Sequence, residues 1–338
     1  MKILVIRFSS IGDIVLTTPV IRCLKQQMPE AEIHFLTKLK FKAVTQHNPY
    51  IDQFHYFDGD LRLVIKQLKQ EQFDHIVDLH KNFRTFVIKK SLSVPAFTYK
   101  KETLRKFLLT KFKINLMLGK HIVKRNLETI LPLGVKDDGK GLDYFISPTD
   151  EVPMDHLPIA HQFGYIGFVI GGSYYTKKLT TQQIKDLCVQ IEFPILLLGG
   201  KEDEAVGQEV AAVDPIKIYN GCGKFSLNQS AFLVHKSKLI ISHDTGLQYV
   251  ASAYGKKTIA IWGGTSPKLD VEPYFGAKQF LNKPSGFTPY KNFVVDLPCQ
   301  PCSNFGTRNC PKKHFKCMRN HDLNAIASLA NEWVRSGG

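Results

Sequence analysis

Residues Lys238 to Pro267 read KLIISHDTGLQYVASAYGKKTIAIWGGTSP, and no other stretch limits the possible folds as tightly. Leu239-Ile240-Ile241 has the length and apolarity of a short buried strand. His243-Asp244-Thr245-Gly246 is a polar turn. Leu247 to Tyr254 then puts Leu247, Val250, Ala251 and Tyr254 on one helical face, and Thr258 to Trp262 forms a second strand after the Gly255-Lys256-Lys257 stop. The pattern predicts a βαβ unit. Its polar residues stand at the carboxyl end of the first strand, the edge where open α/β sheets bind ligands. The amides and positive dipole end of the new helix point there too and suit a phosphate. Gly263-Gly264-Thr265-Ser266-Pro267 adds a second small polar loop on that edge. Two such loops suggest a nucleotide-diphosphate site, or simply the polar turns that every doubly wound domain carries.

The same alternation runs through the chain. Residues 1–7 predict a strand, Phe8 to Asp13 a loop and Ile14 to Met28 a helix with Pro19 early in it. Strands follow at 32–37, 53–57 and 73–79, and helices at 41–47, 61–70 and 121–131. The G-x-G-x-x-G dinucleotide fingerprint is absent from the first turn. Residues 132–160 are rich in Pro, Gly and Asp and lack periodicity, which marks a linker. The rhythm then restarts, with strands at 165–170, 194–198 and 217–219, helices at 181–190, 204–213 and 226–235, and the βαβ unit. An amphipathic helix over 323–334, capped by Asp322, ends the chain. These elements predict an α/β fold of two domains, 1–155 and 156–338, the second carrying a Cys-rich segment at 299–317.

Composition narrows the class. At 338 residues with 43% hydrophobic and 22% charged residues, the chain reads as an ordinary globular protein. No run approaches the roughly 18–20 apolar residues of a membrane span, and the N-terminus reads as a core strand, not a signal peptide, so the expected location is the cytosol. The formal net charge of +15 favours an anionic partner. Residues 100–125 hold nine Lys or Arg against one Glu, with Phe107, Leu108, Phe112, Leu116 and Met117 interleaved. This stretch is either a solvated face or a surface that meets anionic lipid headgroups.

Several residue sets carry candidate chemistry. Asp13, beside Gly12 at a helix start, is either a capping carboxylate or a general base. His80-Lys81-Asn82-Phe83-Arg84 follows a strand and is either a solvated loop or a grip for an anionic, polyhydroxylated acceptor. In the second half Lys177 can neutralise a phosphate, and Asp203 can accept from a ribose. Asp244-Thr245-Gly246 can present amides to a pyrophosphate, and Thr265 and Ser266 can add hydroxyls.

With these residues in view, the chain resembles glycosyltransferase family 9, the ADP-heptose:lipopolysaccharide heptosyltransferases. The resemblance rests on FSSIGDIVLTTP at 8–19, DLHKNFRT at 78–85, DTGLQYVASA at 244–253 and WGGTSP at 262–267. It implies the GT-B fold, two Rossmann-like domains facing across a cleft, and inverting transfer that needs no metal for catalysis. Asp13 matches the proposed general base, and Ser9, Ser10 and Gly12 match the loop shaping that site. Lys177 matches a donor-phosphate lysine, Asp203 an acidic residue near the donor ribose, and Asp244, Thr245 and Gly246 the diphosphate turn. The implied partners are an ADP-heptose donor and an anionic, lipid-linked saccharide acceptor. The implied location is peripheral, on the inner face of the cytoplasmic membrane, where 100–125 with His80, Lys81 and Arg84 would meet the acceptor. Three positions depart from the pattern: Tyr249 stands where the family has His, Lys178-Leu179-Thr180 replaces x-Trp-Pro after Lys177, and Gly264 replaces a common Asn.

Seven cysteines in a cytosolic chain argue against a disulfide framework. Four nevertheless fall in Cys299-x2-Cys302-x7-Cys310-x6-Cys317, with His314 between the last two. This spacing is open to a structural zinc, to reduced thiols or to disulfides. Cys23, Cys188 and Cys222 read as small core residues. Two other functions stand beside the transferase: a nucleotide-sugar binder without turnover, which Tyr249 keeps in play, and a basic nucleic-acid binder, against which the absence of any nucleic-acid module weighs.

Overall fold

The computed structural model describes residues 1–277 and 287–337. Its contacts divide the chain into two compact units. One is built on Met1–Glu102 and Lys120–Ser147. The other is built on Thr103–Gly119, Pro148–Phe275 and the described residues from 287 on. The sequence places the change of unit at 155/156; the contacts place it at Ser147/Pro148 and group Thr103–Gly119 with the second unit.

Each unit is a doubly wound parallel sheet, the Rossmann-like architecture that the alternation predicts. The first unit contains β1 (Lys2–Ile6), β2 (Glu32–Lys38), β3 (Gln53–Phe57), β4 (His75–Asp78) and β5 (Ala96–Thr98), in the order β3-β2-β1-β4-β5. The second contains β6 (Ile166–Val169), β7 (Ile195–Leu198), β8 (Ile218–Asn220), β9 (Leu239–His243), β10 (Thr258–Trp262) and β11 (Tyr290–Val294), in the order β11-β10-β9-β6-β7-β8. Every pairing is parallel. The central strands are buried on both faces, β9 and β10 along their whole length, which is why they read as continuous apolar runs.

Two details depart from the sequence reading. The helix expected over 14–28 is two helices, Ile11–Val15 and Thr18–Gln27. Pro19 sits in the first turn of the second, where its missing N–H disturbs no hydrogen bond, and the chain breaks just before it. The strands β5 and β11, one at an edge of each sheet, carry no clear period and were not expected.

Part of the presumed linker is fixed to the first unit. Arg22, on helix Thr18–Gln27, is 2% exposed. Its Nε and Nη2 donate to the two carboxylate oxygens of Asp138 at 2.7 and 2.8 Å, Nη2 also donates to the Gly141 carbonyl at 2.9 Å, and Nη1 pairs with Asp143. Two carboxylates and a carbonyl give each nitrogen of the buried guanidinium an acceptor. Removing the guanidinium strands the two acids. Arg22→Ala is expected to destabilise the first unit by about 3–5 kcal/mol, read as a lowered urea midpoint for that unit's unfolding transition.

Candidate functional site

The order of the first sheet reverses beside β1, with β2 and β3 on one side and β4 and β5 on the other. The loops leaving β1 and β4 diverge there and open a crevice at the strands' carboxyl ends. Arg7, the first residue beyond β1, is 6% exposed and holds this crevice together. Its Nε donates to the Ser9 carbonyl at 2.9 Å, Nη1 donates to the Leu79 carbonyl beyond β4, and Nη2 pairs with Asp13 Oδ1 at 2.7 Å. Ser10 donates from its backbone N–H (3.0 Å) and its hydroxyl (2.8 Å) to Asp13 Oδ2. Asp13 therefore both caps the helix Ile11–Val15 and presents a side chain that is 31% exposed at the crevice. The capping and functional readings of this residue are compatible.

The loop after β4 is built on Asp78, which is fully buried. Its Oδ1 accepts from the N–H groups of His80 (3.0 Å) and Lys81 (2.7 Å), and Lys89 Nζ lies 2.8 Å from Oδ2. Burial, then Arg7 and Lys101, push His80 down to about 4, so near neutral pH it brings a neutral ring to the crevice. Its edge packs on Phe8 at 5.4 Å between centroids. Lys81 and Arg84 are exposed, and the Arg84 guanidinium lies 5.6 Å over the Phe57 ring. Sequence reasoning passed over Arg7 and Asp78. The available signal was a charged residue at the carboxyl end of an apolar strand run.

In the second sheet the reversal lies between β6 and β9. Lys177, in the loop after β6, places Nζ 2.8 Å from Asp244 Oδ2, just beyond β9. Thr265, beyond β10, donates its hydroxyl to the same oxygen at 2.8 Å. Three loops thus meet on one carboxylate. Thr245 stands at the N-cap position of the helix Gly246–Ala253 without a side-chain capping bond, and Thr245, Gly246 and Leu247 are its partly exposed residues at that end. The structure brings Lys177, Asp244, Thr245, Gly246 and Thr265 to one edge. Ser266 is buried, and its hydroxyl accepts from the Lys268 N–H at 3.2 Å, capping the next turn. Asp203 lies under this edge: it is 3% exposed, accepts from the Gly200 N–H at 3.1 Å and pairs with Lys178 Nζ at 3.1 Å. Lys178 and the buried Gln248 amide, which has no hydrogen-bond partner, are polar groups at this edge that the sequence reading did not single out.

The departures from the family pattern have local causes. Tyr249 is 6% exposed and its hydroxyl donates to the Val271 carbonyl at 2.6 Å, pinning that segment to the helix Gly246–Ala253. A Cβ on Gly264 would stand 2.8 Å from Thr176 Oγ1, so the close approach of these two loops requires glycine there.

Among the described residues, one set has its ligand atoms all within 4.8 Å of one another: His34, His55 and Glu71. The two rings lie 5.2 Å apart at 11°, with His34 Nδ1 and His55 Nε2 separated by 2.9 Å. These are nearly coplanar rings sharing a hydrogen bond end to end. His34 Nε2 continues the chain to Glu32 at 3.0 Å. The facing nitrogens share one proton and do not converge on an ion, so we read this set as a hydrogen-bonded chain inside the first unit.

Residues 61–282 match the model of "Glycosyltransferase family 9 (heptosyltransferase)". The lipopolysaccharide heptosyltransferase 1 of Campylobacter coli is 24% identical over 78% of this chain and 84% of its own length. Among solved structures, the Escherichia coli ADP-heptose lipopolysaccharide heptosyltransferase II superposes with a TM-score of 0.69 at 18% identity, covering 99% of each chain. The E. coli heptosyltransferase WaaC with ADP superposes with a TM-score of 0.66 at 18% identity, covering 98% of this chain and all of its own.

Three imidazoles, His243 buried and His55 and His80 half-buried, set an acid limit on the fold. Burial first, then neighbouring charge, lowers His55 and His80 to about 4 and His243 to about 3 from the usual 6.5. The unfolded chain binds these protons below about 6.5 and the folded chain only nearer 4, so their contribution is complete above pH 6.5 and lost as pH falls through that window. The melting temperature is expected to fall steeply between pH 6.5 and 4. His243→Gln, which keeps an acceptor for the Leu179 N–H bonded to His243 Nε2 at 3.1 Å, should flatten the slope. A melting temperature constant from pH 7 to 4.5 would contradict the neutral rings.

Proposed function

The chain belongs to glycosyltransferase family 9 and is a glycosyltransferase, and from that premise we propose that it transfers a heptose from ADP-heptose, with inversion, to a lipopolysaccharide inner-core or related lipid-linked acceptor. The observation that carries this reading is the placing of Asp13: a carboxylate open to solvent, held by Arg7 and Ser10, at the reversal point of the first sheet. A relative named lipopolysaccharide heptosyltransferase and a solved structure named ADP-heptose lipopolysaccharide heptosyltransferase support the acceptor and the donor of this reading.

In this mechanism Asp13 takes the proton of the acceptor hydroxyl as its oxygen attacks the anomeric carbon from the face opposite ADP. The bond from that carbon to the β-phosphate oxygen breaks, and its electron pair leaves on the diphosphate. Lys177 and the amides at the start of helix Gly246–Ala253 receive that charge. The Arg7 ion pair and the two Ser10 donors hold the Asp13 carboxylate in one orientation at the crevice. Catalysis on this route uses no metal.

The acceptor reading brings in the membrane. No helix of the described residues is long and apolar enough to cross a bilayer. Thr103–Gly119 nevertheless exposes Leu104, Phe107, Phe112, Ile114, Leu116 and Leu118, each by about half or more, among Arg105, Lys106, Lys111 and Lys113. We take this as a peripheral contact with an anionic lipid surface on the cytoplasmic side, combining apolar insertion with charge attraction. Phe112→Glu with Leu116→Glu is expected to release the protein from vesicles containing anionic lipid, in a flotation assay, without changing ADP binding.

Turnover decides the central claim. Asp13→Ala is expected to cut transfer by at least about a hundredfold, the range of a lost general base, while the affinity for ADP in calorimetry stays within twofold. Full turnover in that variant removes Asp13 as the base. Absence of turnover in the unaltered protein, across ADP-, UDP- and GDP-sugars that it binds, would favour the silent nucleotide-sugar binder.

A further inference from the structure

The four cysteines of the C-terminal segment take no part in the chemistry above, yet they converge. Cys299, Cys302, Cys310 and Cys317 are all free thiols, and with His314 they line one cavity of about 10 Å³, the room of a single water-sized sphere. Thr176, Gly263 and Gly264 of the donor-side loops form part of the same wall. We propose that this cavity is a metal site, in which the four thiolates hold one soft divalent ion, zinc(II) or iron(II), and that the bound ion fixes the loops carrying Lys177 and Thr265.

The chemistry fits thiolate ligation. Four sulfurs with no competing carboxylate select zinc or iron over magnesium or calcium. Binding replaces four S–H protons, released to solvent, with four metal–sulfur bonds and changes no oxidation state. No three of these sulfurs lie within 4.8 Å of one another, so loading draws them inward. At a metal–sulfur distance of about 2.3 Å they come to roughly 3.8 Å from one another.

The surroundings already resemble a thiolate site's outer shell. The Phe315 N–H donates to Cys310 Sγ at 3.4 Å. His314 Nδ1 accepts from the Lys316 N–H at 3.0 Å, which leaves the proton of the neutral ring on Nε2, 3.7 Å from Cys299 Sγ. His314 therefore serves as a donor to a ligand sulfur and is not itself a ligand, the arrangement that orients metal-bound groups. Lys113, whose Nζ donates to the Pro301 carbonyl at 2.7 Å, and Lys312 in the cavity wall bring positive charge to a site that carries two net negative charges when loaded. Loading also frees the Gly264 carbonyl of the Cys302 thiol at 3.5 Å, while the Cys302 N–H keeps its bond there at 3.0 Å.

The same segment grips the donor edge. Cys302 and Ser303 donate their N–H groups to the Gly264 carbonyl, and Gln300 Nε2 donates to the carbonyls of Gly263 (2.6 Å) and Thr265 (3.2 Å). The Thr307 N–H donates to Thr176 Oγ1 at 2.8 Å. Gly306, at φ +92°, lies against the Lys177 chain so closely that a Cβ would stand 2.8 Å from Lys177 Cδ. These bonds hold the two residues that meet on Asp244. The metal's positioning role rests on the donor reading of that edge; the metal site itself does not.

The test begins with metal analysis of the full-length protein purified without chelator or added metal. The expected result is close to one equivalent of zinc or iron per chain, the metal found deciding between the two, and cobalt(II) exchange giving thiolate charge-transfer absorption. Cys310→Ser should lose the metal, and His314→Ala should keep the site with an affinity lowered about 10–100-fold. ADP binding by calorimetry should weaken about tenfold or more when the metal is removed by chelation and return on reloading. Gly306→Ala should weaken ADP binding with the metal retained. Four titratable thiols without metal, or a disulfide among these cysteines, overturns the site. A loaded site whose removal leaves ADP affinity unchanged overturns the positioning role. If the loaded protein binds no ADP at all, the donor reading fails while the metal content still decides the site.

Discussion

A parallel sheet buried on both faces confines its polar chemistry to the ends of its strands, and the order of the strands decides which ends are open. Each sheet here grows in one direction from its first strand and then in the other, so two neighbouring loops part company at the carboxyl edge. That constraint collects residues far apart in the chain: Arg7, Asp13 and the Leu79 carbonyl in the first unit, Lys177, Asp244 and Thr265 in the second. The chemistry of each edge then depends on one group that ties the loops together. In the first unit it is a buried guanidinium, and in the second a buried carboxylate.

How far this was legible in the sequence depended on burial. β9 and β10 are buried throughout, so the runs at 239–241 and 258–262 announce themselves. β5 and β11 are half-exposed edge strands, each preceded by a proline, at Pro95 and Pro289. They have neither a continuous apolar run nor a clean alternation to reveal them. Site residues were legible where they follow a strong strand, as Asp244 and Thr265 do. The direction of a side chain was not. Asp203 turns inward because the neighbouring Gly171 and Gly199 have no Cβ: one on Gly171 would stand 2.7 Å from Asp203 Oδ2. A sequence pattern marks such a residue as polar and near an edge without telling which way it faces.

The net charge of +15 also acquires a location. Four cations at the edges are matched with acids: Arg7 with Asp13, Lys89 with Asp78, Lys177 with Asp244, Lys178 with Asp203. The excess lies instead on exposed stretches such as Lys111 to Lys120, which is where attraction to an anionic surface acts over distance.

This matching bears on how the second unit's edge would take a diphosphate, the role proposed for it. A carboxylate gains nothing from direct contact with a phosphate, since both are acceptors and both are negative. Asp244 is therefore better placed to hold Lys177 and Thr265 than to touch the ligand. Its shared oxygen keeps the ammonium and the hydroxyl in fixed positions, which lowers the ordering cost of binding. It also opposes the incoming charge. The balance falls to donors outside the pair, namely the amides that begin helix Gly246–Ala253 and the remaining N–H bonds of Lys177. On the proposed reading, a site built this way would bind through geometry more than through net charge and would favour an anion that meets the ammonium and the helix end together.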